Sequence, residues 1–133
     1  MTKPKIAILD TNVILRYLLC DNEEMFRKAS DFLEQVRVGG RKAVVPDCVL
    51  TECVYVLMKF YEVPRGETAE KLQDILRYKG MVSPDRDTLI DALELFKKSS
   101  VDIVDCIVHQ QAKDRDMKVF SFDADLNRKL PAQ

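Results

Sequence analysis

The chain has 133 residues, 47% hydrophobic and 32% charged, with a formal net charge of −1 and a pI near 5.9. One domain spanning 1–133 is implied, long enough to bury a core without metal or disulfide staples. The apolar share and near-zero charge exclude intrinsic disorder, and the acidic pI is unlike the basic footprint of a nucleic-acid binder.

Residues 5–9 form a compact apolar run, read as a buried strand. Residues 12–20 fit a short helix. Residues 23–38 fit a second, with Phe26, Ala29, Phe32, Leu33 and Val36 at helical spacing and Gly39-Gly40 as its stop. Residues 43–45 are a second strand, stopped by Pro46, and Asp47 reads as the N-cap of the helix whose stripe is Val49, Cys53, Val56, Leu57 and Phe60. Pro64 and Gly66 mark a turn before a helix over 68–78, closed by Gly80. Residues 81–83 suggest a third strand. Ser83-Pro84-Asp85 then opens a helix carried by Leu89, Ala92, Leu93 and Phe96 to Ser99. A helix over 103–113, a last strand over 118–122 and a turn of helix within 123–130 complete the chain. Strands separated by helices of this length point to right-handed crossovers and a parallel sheet. The expected fold is α/β: a three-layer α/β/α sandwich around a central parallel sheet of about four to five strands.

No apolar run approaches the roughly 18–20 residues of a membrane helix. The strongest, 13–20, is interrupted by Arg16. Residues 6–9 are too short for a signal-peptide core and run straight into Asp10, so a cytoplasmic protein is expected. Cys20, Cys48, Cys53 and Cys106 form no CxxC pair and read as reduced, mostly buried thiols. With a single histidine, a Cys/His zinc site is disfavoured.

The acids are distributed unevenly over this plan. Asp10 follows the first strand and Asp123 the last, where ligands gather in parallel sheets. Glu52 lies between Leu50 and Cys53, and Asp105 between Val104 and Cys106, in apolar company for solvent-facing carboxylates. Singly, each reads as a capping or surface residue, and Asp10 can cap the helix starting near Asn12. Together they suggest one polar focus. Clustered carboxylates repel, and a divalent cation relieves the conflict. Oxygen donors without Cys or His select Mg²⁺ or Mn²⁺ over Zn²⁺, and such ions typically engage phosphate oxygens. Thr11 and Asn12 open a helix beside Asp10, an end that favours anions.

The run Asp10-Thr11-Asn12-Val13-Ile14-Leu15 after an apolar strand resembles the opening of PIN-domain nucleases. Thr51-Glu52 resembles their second acidic block, Asp102-Ile103-Val104-Asp105-Cys106-Ile107 the third, and Ser121-Phe122-Asp123 the closing one, where Ser121 replaces the usual Thr. The blocks stand in the family's order and span nearly the whole chain. The compact length further resembles the VapC-type toxins of bacterial and archaeal toxin–antitoxin pairs. The resemblance implies a Mg²⁺- or Mn²⁺-dependent endoribonuclease cutting RNA such as tRNA or rRNA, leaving a 5′-phosphate and a 3′-hydroxyl. It also implies a homodimer and a small cognate antitoxin.

On that resemblance Asp10, Glu52, Asp105 and Asp123 are the catalytic metal ligands. Thr11, Asn12, Asp102 and Ser121 are supporting candidates. Asp102 shares a helix face with Asp105 but reads first as the N-cap of the helix from Ile103. His109, one turn beyond Asp105, reads as a bystander. A local basic rim is expected from Arg16, Arg41, Lys42, Arg128 and Lys129, and a dimer face from Met25, Phe26, Tyr55 and Met58.

Other classes fit less well. A haloacid-dehalogenase-type phosphatase needs a second Asp where Asn12 stands, and a response-regulator receiver needs paired acids where Ile8-Leu9-Asp10 offers one. A PIN-like RNA- or partner-binding module without cleavage, and a housekeeping RNA-processing nuclease, remain the alternatives.

Overall fold

The computed structural model describes residues 5–122. Within them the order is β1 (Ala7–Ile8), α1 (Thr11–Leu19), α2 (Glu23–Val38), β2 (Ala43–Val44), α3 (Asp47–Lys59), α4 (Arg65–Leu76), α5 (Arg86–Lys98) and α6 (Ile103–Asp114). The fold is α/β, with helices dominating. No helix among the described residues is long and apolar enough to cross a membrane.

The helices begin and end where their caps dictate. Asp10 caps α1, its Oδ1 accepting from Thr11 N at 2.8 Å. Asn22 caps α2, accepting from Met25 N at 3.0 Å, and Glu23 and Glu24 complement the positive end of the helix. Gly39, at φ 86°, closes α2 in the left-handed conformation that a residue without Cβ adopts readily. In α3 the N-cap is Pro46 and Asp47 is the first helical residue, one position from the expected cap. Helix α4 starts at Arg65, three residues before the expected start. Tertiary bonds hold that first turn: the Arg65 guanidinium donates to the Phe96 carbonyl at 2.6 Å, reaches the Val101 carbonyl, and stacks 3.6 Å over the Phe96 ring.

Among the described residues the sheet is smaller than expected. β1 and β2 pair in parallel, Ala7 with Ala43 and Ile8 with Val44. The third strand expected at 81–83 is reduced to a parallel bridge between Ala43 and Met81, because the chain turns into α5 immediately afterwards. Residues 118–122 form no strand: Phe120 and Phe122 point into solvent, 88% and 93% exposed, and pack edge-on against each other. The turn of helix expected within 123–130 lies outside the described residues. Two of the four cysteines, Cys20 and Cys48, are exposed rather than buried.

One core joins these elements, built from residues such as Leu33, Val36, Leu50, Leu57, Leu72, Leu89, Leu93 and Ile103. Helix α3 packs on α1, α4 and α6, and so ties the first half of the chain to the second. Gly80 sets the approach of α2 to the bridge. A Cβ there would lie 2.0 Å from the Arg41 carbonyl oxygen and 2.9 Å from that of Val36, both backbone atoms. Gly80→Ala should therefore destabilise the fold by about 1–3 kcal/mol, the usual cost of overpacking. Urea unfolding should show a lower midpoint at unchanged slope.

Candidate active site

Asp10 stands two residues past β1, exposed, with one carboxylate oxygen engaged by the Thr11 N–H. Thr11 is buried and Asn12 exposed on the first turn of α1. Glu52 is exposed on the second turn of α3, contrary to the apolar setting its neighbours suggest. The inward positions of that turn go to Leu50 and Cys53. Asp10 and Glu52 converge on Cys53: burial first, then the Glu52 charge, then that of Asp10 push its thiol from 9.0 up to about 12.

The third block meets α3 at Tyr55. Asp102 caps α6, its Oδ1 accepting from Val104 N at 3.0 Å, as the capping reading expected. The same oxygen accepts from the Tyr55 hydroxyl at 2.8 Å. Asp105, half-buried in the first turn of α6, also acts on Tyr55. Burial, the hydrogen bond to Asp102 and the charges of Asp102 and Asp105, in that order, hold the phenol at about 12. Three of the four expected acids thus flank one helix, Asp10 and Glu52 around Cys53, and Asp105 beside Tyr55.

Two positioning residues escaped the sequence reading. Tyr55 lies one turn after Glu52, a spacing that puts it on the same face of α3. That spacing was the available signal, although Tyr55 read as a dimer-face candidate. Arg65 clamps the loop before Asp102 through the Phe96 and Val101 carbonyls; nothing local in the sequence marks that partnership. His109 is buried, and burial foremost, with the Lys113 charge, lowers its pKa. Cys106 is likewise a buried thiol, held at about 11 chiefly by burial.

Among the described residues no three His, Cys, Asp or Glu side chains come together closely enough to hold a metal ion. Asp123, the fourth acid, lies outside the described residues. Ser121, two residues before it, is half-buried. The donor chemistry nevertheless fits a hard cation. The accessible donors are the carboxylates of Asp10 and Glu52, with Asp105 partly so, whereas the softer Cys53, Cys106 and His109 are buried.

The PIN domain family matches residues 7–129. The chain belongs to that family. It is also 30% identical over 118 residues to the VapC ribonuclease of Aquifex aeolicus (strain VF5), an alignment covering 88% of this chain and 87% of the relative. No solved structure matches the chain. The expected resemblance to VapC-type PIN proteins therefore holds over most of the chain.

The raised thiol pKa values carry a pH consequence. The folded protein keeps protons on Cys53 and Cys106 that the unfolded chain gives up near pH 9.0. Their contribution to stability is complete below that pH and is lost as pH rises toward about 12 for Cys53 and about 11 for Cys106. Urea unfolding above pH 9.0 should show stability falling with pH. Cys53→Ala, though less stable at neutral pH, should make that fall shallower, and Cys53→Ala with Cys106→Ala more so, while the raised phenols of Tyr55 and Tyr17 keep the remainder.

Proposed function

We propose that this chain is a divalent-metal-dependent endoribonuclease that hydrolyses RNA phosphodiester bonds, and that it is the toxin of a toxin–antitoxin pair. The observation that carries this reading is the ordered set of four acidic blocks in a chain that matches the PIN family from residue 7 to 129. Asp10, Glu52, Asp105 and Asp123 would hold Mg²⁺ or Mn²⁺, with Thr11, Asn12, Asp102 and Ser121 in support. Bound there, the ion supplies positive charge against the phosphate and acidifies a water.

The chain's own groups do the positioning. The Thr11 N–H fixes Asp10 through one oxygen and leaves the other to face a ligand. Tyr55 and the Val104 N–H hold Asp102 at the head of α6, and this sets the first turn that carries Asp105. The exposure of Asp10 and Glu52 leaves an RNA strand room to approach. The N-terminal end of α1 favours its phosphates.

The same reading includes a cytoplasmic location, a tRNA or rRNA substrate, a cognate antitoxin and a homodimer. Exposed apolar side chains support the dimer: Met25, and on α6 Val104 and Val108 beside a groove of about 330 Å³ shared with Cys48 and Thr51. Phe26 instead stacks on Tyr17, and Tyr55 is engaged by Asp102. The reading also includes a central parallel sheet of about four to five strands, of which β1, β2 and the Met81 bridge lie among the described residues.

End-labelled structured RNA incubated with Mg²⁺, Mn²⁺ or EDTA tests the central part. Wild type should cut only with metal. Asp10→Asn, prepared identically, should lose more than about 100-fold, since even outer partners of a metal site are worth roughly 10–100-fold. Equal cleavage by both proteins would contradict the assignment. RNA binding without metal-stimulated cleavage would favour the non-cleaving binding module.

A further inference from the structure

Six of the 21 lysines and arginines of this near-neutral chain are gathered at one place. Two segments meet where the strands of the sheet begin. One is the exit from α2, carrying Arg37, Arg41 and Lys42; the other is the turn after α4, carrying Arg77 and Lys79. Gly80 lets them meet. Its N–H donates to the Val36 carbonyl at 2.8 Å, its carbonyl accepts from Ala43 N at 2.9 Å, and no room exists for a Cβ beside the Arg41 carbonyl. Lys79 N donates to the Arg37 carbonyl at 3.3 Å, and the Lys79 side chain runs along Gly39. The five cations are exposed, and Arg86 borders them, half-buried.

Three of the six have acidic partners: Arg37 with Glu34 at 3.0 Å, Arg77 with Asp74 at 3.9 Å and Arg86 with Asp87 at 3.3 Å. Among the described residues no carboxylate lies within ion-pairing distance of Arg41, Lys42 or Lys79. Arg41 is instead held over the Phe32 ring at 5.3 Å. This arrangement places uncompensated positive charge on a rigid, glycine-locked frame. It also lies away from the acids. Lys42 is level with Ile6 in the β1–β2 register, four residues before Asp10, or roughly 13 Å along the strand direction at ~3.3 Å per residue.

We infer that this basic end of the sheet is a second contact for RNA, a phosphate-binding surface that holds the backbone away from the carboxylates. The inference rests on the ribonuclease reading above. Exposed lysine and arginine side chains on phosphates position a strand without reading its bases. Their binding energy comes largely from counterion release and falls steeply with salt. The surface also answers how a chain of pI near 5.9 can handle a polyanion: the charge is segregated by position, not in excess overall.

Anisotropy of fluorescein-labelled RNA in EDTA, with no cutting, tests it across about 50–200 mM salt. Arg41→Gln/Lys42→Gln/Lys79→Gln should weaken binding by about tenfold or more and flatten the log–log salt slope by about two, for three lost phosphate contacts. Thermal unfolding unchanged from wild type should accompany that loss. A triple variant that binds with wild-type affinity and slope would overturn the basic-end contact while leaving the ribonuclease reading intact. A wild type that binds no RNA would overturn both. Polyglutamate that competes as well as RNA for wild type, and only for wild type, would overturn RNA as the occupant in favour of an acidic protein.

Discussion

The structure depends on the burial of one face of α3. Leu50, Cys53, Val54 and Leu57 are all essentially inaccessible to water, and each such side chain contributes about 1.5–3 kcal/mol to folding. That face fixes the rotation of the helix. The rotation in turn leaves Glu52 exposed beside the buried Cys53, whose thiol also feels Asp10, and brings Tyr55 to Asp102. The polar residues of α3 are therefore placed by the apolar ones, and α1 and α6 bring their acids to a helix already held in position. The cost is visible in Cys53, whose thiol is kept neutral between burial and two neighbouring carboxylates.

Much of this was legible in the sequence, for identifiable reasons. Helix α2 matches its expected bounds because its cap, stripe and terminal glycine all agree. The Asp102 cap and α6 follow from a short polar residue before an apolar helix. Among the described residues the sheet has fewer strands than the apolar runs suggest, because a short apolar run looks the same whether it pairs or only touches a neighbour. Residues 81–83 contribute one bridge, and Phe120 and Phe122 of 118–122 face solvent. The start of α4 was missed because Arg65 is fixed by carbonyls more than 30 positions away. Glu52 looked buried because its sequence neighbours are apolar, yet on a helix those neighbours point elsewhere.

The two ends of the short sheet carry opposite chemistry. Asp10 follows a strand, while Lys42 precedes one. Because the strands are parallel, all their exits share one end and all their entrances the other. An acidic exit and a basic entrance follow from the topology once the sequence places Asp after β1 and Arg-Lys before β2. Arg41 and Lys42, expected at the rim of the acids, belong to the other end for the same reason.

The central proposal is that Asp10, Glu52 and Asp105, on three separate segments around α3, hold one divalent cation. The most direct measurement is the anomalous scattering of crystals soaked in Mn²⁺, collected for wild type and Glu52→Gln. The account predicts a peak in contact with the carboxylates of Asp10 and Asp105 and on the Glu52 side of α3, weakened or lost in the variant. A wild-type crystal with no peak there, or a peak unaffected by the substitution, would contradict it.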